Sequence, residues 1–289
     1  MMKLLPTVPL ALAAALTIAA AVAPPPTAAT ADPLSVFQPT HVRAISVTPA
    51  DARALQSFPP LEAFGTVRGT RSPGLDEVAS AGEAAQDAGY ALRLPATVPA
   101  SVGTAPHYQV TQRARTSFTF EQVKATAWAR EHKVALHALP AGLNGATYTA
   151  TLLPVTLVTY GAPPRTHRDE HGARRGSFLA IVQAPVPTVT SSGASLQTLA
   201  EWFAAQPGVP PHLVTQIKAI GDPTQTLPIP VRFDKQTATK IDVDGVQGLA
   251  IGDETGIGSV IVWTKDGKLY AVGGTLPQST VLALANSLK

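Results

Sequence analysis

The stretch that decides the fold is Gly258–Lys289, GSVIVWTKDGKLYAVGGTLPQSTVLALANSLK. Ser259–Trp263 and Leu269–Val272 are β-branched and aromatic runs of strand length. Lys265-Asp266-Gly267-Lys268 lies between them. Asp-Gly is the pair that a two-residue type I′ turn selects, because both central residues need positive φ. From Gln278 to Leu288 the spacing changes: Val281, Leu284, Ala285 and Leu288 recur at helical intervals. The chain therefore ends in a β-hairpin followed by a helix with one apolar face.

The same reasoning extends upstream. His41–Val47 predicts a strand. Thr48, Pro49 and Asp51 then predict a short helix with a capping box and proline at its first position. Ser80 and Glu83 predict a second capped helix, stopped by Gly89. Residues 95–106 are a loop, and Tyr108–Thr116 predicts a strand. Thr119 and Gln122 suggest a third capping box before a helix to about Glu131, with Phe120, Val123 and Ala127 on one face. Ala146–Leu153 and Val155–Tyr160 are β-rich, with Pro154 between them, and Phe178–Val182 is expected to pair with the second. Leu196, Leu199, Trp202 and Phe203 mark an amphipathic helix ended by Pro207-Gly208. A further helix runs from Pro211 to Ile220, with Gly221 as its stop. Strands and helices do not alternate as βαβ units, so the expected class is α+β: mainly antiparallel sheet with amphipathic helices packed on it.

Composition narrows the functional classes. The 289 residues carry a net charge of +3, charged residues make up only 14%, and 27 are proline. Basic residues are scattered except at Arg165–Arg175, so no basic stripe suits nucleic acid. With no cysteine there are no disulfides, thiolate metal sites or cysteine nucleophiles, and no lipid-anchored cysteine at a cleavage point. A lysine followed by an apolar run from about Leu10 to Ala23 has the form of a signal peptide, with Ala29-Thr30-Ala31 as the cleavage motif; an uncleaved anchor is the alternative. The expected organisation is a signal peptide at 1–31, an N-terminal extension or arm at 32–75, and an α+β extracytoplasmic domain at 76–289. That domain could form two lobes with a boundary near 185–195. Export is expected, and the N-terminal segment would engage the membrane only during it.

Several motifs carry possible chemistry. His167-Arg168-Asp169-Glu170-His171 matches H-x-x-E-H, in which two histidines on a helix hold zinc and the glutamate acts as base. Pro163-Pro164 before it and Gly172 after it leave only about two turns with nothing apolar to dock them, and a solvated hairpin loop is the simpler reading. Arg165, His167, Arg168, His171, Arg174 and Arg175 then form a possible anionic-contact loop. Asp242-Val243-Asp244-Gly245 lacks the glycine and glutamate of an EF-hand and reads as a sheet edge with a turn. Gly252–Ser259 lacks a phosphate-loop lysine and reads as a turn or bulge. Ser191–Ser195 reads as a loop and helix N-cap. Trp128, Trp202 and Trp263 fall on amphipathic elements, where core packing is the default. Trp202, Phe203, Trp263 and Tyr270 are candidates for an apolar ligand site or for core. No catalytic, metal or cofactor residues are assigned.

Trp263, Gly267, Tyr270 and Ala285-Asn286-Ser287-Leu288 form a cadence of strand ending in Trp, glycine turn, strand with Tyr, and helix ending in Ala-x-Ser-Leu. Upstream, AGYALRLPATVP (Ala88–Pro99) adds an aromatic residue followed by Leu-Pro-Ala. Together these resemble an extracytoplasmic domain of unknown function that follows the transmembrane segment of bacterial anti-sigma regulators. The same domain occurs in envelope proteins similar to lipoprotein carriers. The resemblance spans about Val78–Lys289, loosely in the middle, and implies no catalytic residues. Only two residues precede Lys3, so a stand-alone envelope module is expected rather than direct sigma-factor sequestration.

Three functions follow as expectations. The first is a non-catalytic binding or sensory module of the bacterial envelope, accessory to a membrane-bound regulator, with an unknown envelope protein or an apolar ligand as partner. The second is a carrier of lipid or lipopeptide in an apolar cavity between sheet and helices. The third is a metal-dependent hydrolase built on the His167–His171 loop, against which the sequence context argues.

Overall fold

A computed structural model describes residues 35–37, 39–69, 74–162, 177–220, 224–232, 234–253, 256 and 258–289. The expected signal peptide, the Arg165–Arg175 loop with its H-x-x-E-H motif, and the Gly221 helix stop lie outside the described residues.

The chain is α+β with mostly antiparallel pairing, as expected. In the larger sheet, eight strands run in the order β12 (Gln236–Val243), β13 (Val246–Asp253), β14 (Ser259–Lys265), β15 (Lys268–Gly274), β9 (Leu179–Pro185), β8 (Thr156–Tyr160), β5 (Pro106–Thr111) and β4 (Leu75–Val78). The second sheet runs β1 (Ser35–Phe37), β10 (Thr188–Ser192), β7 (Thr147–Leu152), β6 (Ala114–Phe120), β3 (Gly65–Gly69). A parallel ribbon joins β2 (His41–Val47) to β11 (Thr226–Arg232), with Ile45 opposite Pro230.

The C-terminal hairpin forms as read. Asp266 and Gly267 take φ of 49° and 69°, and Trp263 stands opposite Tyr270. Alternation along the eight strands produces two apolar faces. Ala250, Ile261, Trp263 and Val272 pack under the C-terminal helix, Gln278–Asn286, through its Val281, Leu284 and Ala285. On the opposite face, Leu249, Ile251, Val262 and Ala271 pack against the ribbon's Leu227, Ile229 and Val231.

The stretch expected as an N-terminal extension or arm at 32–75 pairs with the body through its described strands: β1, β2 and β3 each pair with strands from later in the chain. β2 meets β11 in a pairing that no local pattern encodes.

Helix α1 (Pro49–Gln56) has the expected box: the Thr48 hydroxyl accepts from Asp51 N–H, and the Asp51 carboxylate accepts from Thr48 N–H. Helix α2 (Ala81–Ala88) starts at Ser80 and ends at Gly89 with φ of 76°. Helix α3 (Gln122–His132) departs from expectation. Thr119 remains in β6, Glu121 is the N-cap, and Val123 is 81% exposed, whereas Ala125 is buried. Glu121 leaves the strand through a backbone bond to Phe64, which rotates the helix so that Ala125 rather than Val123 meets the core. Helices α4 (Leu196–Ala205) and α5 (Pro211–Lys218) fall where the periodicity places them. The C-terminal helix is α6.

Tyr108–Thr116 is also corrected. It is two strands, β5 and β6, in different sheets. β7 and β8 likewise separate at Pro154.

Candidate functional site

β11 alternates along its length. Leu227, Ile229 and Val231 face the large sheet, which turns Thr226, Pro228 and Pro230 toward the other side. The prolines lack an N–H, and a strand paired on one side only tolerates them. On β2, Ile45 and Val47 join this outer face. Leu213 and Ile220 pack on Ile45 and Val47 over part of this face. Helices α1, α4 and α5 and the β1/β10 edge stand around the rest of it and line a half-open cavity of about 380 Å³.

The walls come from separate parts of the chain. α4 contributes Leu196 and Ala200, α5 contributes Leu213 and Ile217, α1 contributes Leu55, and the sheet edge contributes Phe37 and Val189. Among the described residues, Gln197, Thr224 and Thr226 are the polar residues of the lining, and no charged side chain belongs to it. Such a surface accepts hydrocarbon and penalises a buried charge.

Hydrogen bonds fix the α5 wall. Gln216 pairs with the backbone of Ser46 as another strand would: Ser46 N–H donates to Oε1 (2.7 Å), and Nε2 donates to Ser46 O (3.1 Å). Arg43 Nη1 donates to Ala219 O at 2.6 Å. Between α1 and α5, His212 Nε2 lies 2.8 Å from Asp51 Oδ2. Asp51 is buried. Burial alone would raise its pKa, but hydrogen bonds from Thr48 and His212 outweigh it and hold the carboxyl below its usual range.

The aromatic candidates fall elsewhere. Trp202 is buried edge-on to Phe120 at 5.0 Å, its indole N–H donating to His137 O. Phe203 packs on Phe64 at 5.1 Å. Trp263 and Tyr270 stack at 5.2 Å beneath α6, in a different core. None of the four lines the cavity; of the two readings open for them, apolar ligand site or core, they lie in the cores. α4 turns its 199/202/203 side to the aromatic core, and its 196/200 side is what the cavity uses. That second apolar stripe, together with the alternating prolines of β11, is the signal in the sequence that marks the site.

Asp244, in the sequence Asp-Val-Asp-Gly, sits in a second Asp-Gly hairpin turn with φ of 52°. Its carboxylate holds Arg93 and Lys265. Among the described residues, no group of three or more His, Cys, Asp or Glu is placed to hold a metal ion. Among them, too, no helix is long and apolar enough to cross a membrane.

No protein-family model, curated protein or solved structure matches the chain.

Proposed function

We propose that this protein is a non-catalytic binding module of the bacterial envelope that takes an apolar chain, of the kind borne by lipids and lipopeptides, into the cavity between the β2–β11 ribbon and helices α1, α4 and α5. The observation that carries this reading is the lining: apolar side chains from seven elements and, among the described residues, no charged group around about 380 Å³. That volume lies within the range of small-molecule sites, roughly 300–1,000 Å³. The uncharged walls favour a ligand whose polar end stays outside. Export and the likeness to carrier-like envelope proteins, both read from the sequence, agree with a lipid-derived ligand.

The test is native mass spectrometry of the chain beginning at Asp32, purified from the envelope and compared with its denatured mass. It is joined to a titration with cis-parinaric acid, a fluorescent fatty acid. A lipid-sized adduct and saturable fluorescence are expected, both lost in Ala200→Phe, which places a ring in the cavity. A bare mass together with no saturable signal would overturn the reading and turn the search toward a protein partner.

A further inference from the structure

The two helical walls of the cavity are held differently. α5 is tied to β2 by both Gln216 bonds and by Arg43. α1 buries one residue fully, and that residue is the carboxylate Asp51. Leu55, its contribution to the cavity, is 43% exposed. Both ends of α1 are anchored. Thr48 continues from β2, and Phe58 packs on Phe64 and Phe203 at 6.1 and 6.2 Å. Across the gap, α1 reaches α5 through Asp51 and His212.

We infer that α1 is the lid of the cavity and that the Asp51–His212 pair is the latch holding it against α5. This rests on the apolar-ligand reading of the same site. A lid must part from its seat without losing much buried apolar surface, and α1 has little of it. It must also leave no stranded charge when open. Asp51 meets that condition, because the Thr48 N–H and hydroxyl donate to the same carboxylate at 2.7 Å each whether or not His212 is near. His212 is half-exposed, so water can take the place of its partner. A hydrogen bond to a charged group is strong enough to bias the lid shut and weak enough to break thermally. The tethers at Thr48 and Phe58 return the helix to its seat.

The experiment is stopped-flow mixing of cis-parinaric acid with the chain beginning at Asp32, beside amide hydrogen exchange without the fatty acid. In His212→Ala the uptake and release rates should each rise roughly tenfold. Amides of residues 52–56 should exchange faster while those of α6 do not change. His212→Gln, which keeps an N–H donor near Asp51, should return both readouts toward the native values. Rates within about twofold of the native ones in His212→Ala would overturn the latch. If the native protein binds no fatty acid, the apolar-ligand reading fails, and exchange alone decides the latch: faster exchange over 52–56 supports it, unchanged exchange overturns it.

Discussion

Arg93 and Asp244, 151 residues apart in the chain, form a two-pronged ion pair: Nη1 and Nη2 reach the two carboxylate oxygens at 2.5 and 3.2 Å. Arg93 Nη2 also donates to Leu288 O at 2.6 Å. Lys265 approaches the same carboxylate at 3.0 Å. One guanidinium thus ties the segment after α2 to the β12–β13 turn and to the end of α6.

Arg93→Ala should destabilise the fold by about 2 kcal/mol, because it strips charge-assisted bonds from a largely buried carboxylate. The effect should depend on pH. The Arg93 hydrogen bond holds the Asp244 carboxyl below its usual range against the opposing effect of burial, and Lys265 assists. A carboxyl with a lowered folded pKa stabilises fully above its unfolded pKa, about 4, and the contribution is lost as pH falls from there through the folded value. Urea melts at pH 7 and pH 3 should show the native–variant gap narrowing at the lower pH. An equal gap at both would remove the pair as its source.

Two glutamine side chains stand in for strands. Fully buried Gln183 accepts from Arg93 N–H at 2.9 Å and donates to Arg93 O at 2.8 Å, and Gln216 does the same for Ser46. Gln183→Met matches the shape but leaves both backbone groups without a partner. The cost should be about 2–4 kcal/mol, measured by chemical denaturation. Gln216→Met should cost less, since Gln216 is only partly buried whereas Gln183 is fully buried.

Gly274 and Gly267 both belong to the β15 hairpin and should respond differently to alanine. A Cβ on Gly274 would lie 1.9 Å from Phe178 O, between two central strands. At Gly267 the space is open and only the φ of 69° resists. Gly274→Ala should cost about 3 kcal/mol or more, and Gly267→Ala about 1–2 kcal/mol. Thermal melts of both variants would check the order.

Ala200→Leu should trade binding for stability. Filling an apolar void recovers contacts, so the ligand-free protein should gain about 1 kcal/mol, or about 2–4 °C in melting temperature for a domain of this size. Saturable fatty-acid fluorescence should fall in parallel. A variant that gains stability and still binds normally would place the ligand elsewhere.

Local structure was legible in the sequence. The Asp266-Gly267 turn, the Thr48–Asp51 capping box, the Gly89 stop and the apolar stripes of α4, α5 and α6 depend on residues within one or two turns of each other. Their chemistry is complete in a short window. α3 was the exception, because its face is set by where β6 releases the chain rather than by its own weak periodicity.

Pairing across the chain was decided only by the tertiary structure. Every residue but proline carries the same backbone donor and acceptor, so an alternating strand announces its two faces and not its neighbour. Nothing in HVRAISV designates TLPIPVR as its parallel partner 185 residues later, and nothing in Tyr108–Thr116 shows that its halves enter different sheets. The cavity inherits this, since its walls meet only after β2 and β11 have paired. Trp202, Phe203, Trp263 and Tyr270 drew notice by size, but large aromatics gain most from full burial, and they became core. The sequence by itself determined the C-terminal hairpin, the capped helices α1 and α2 and the apolar sides of α4, α5 and α6, but did not mark β11 as a strand. The tertiary structure decided which apolar sides face one another and which are left around a space, because that depends on backbone pairing between segments far apart in the chain.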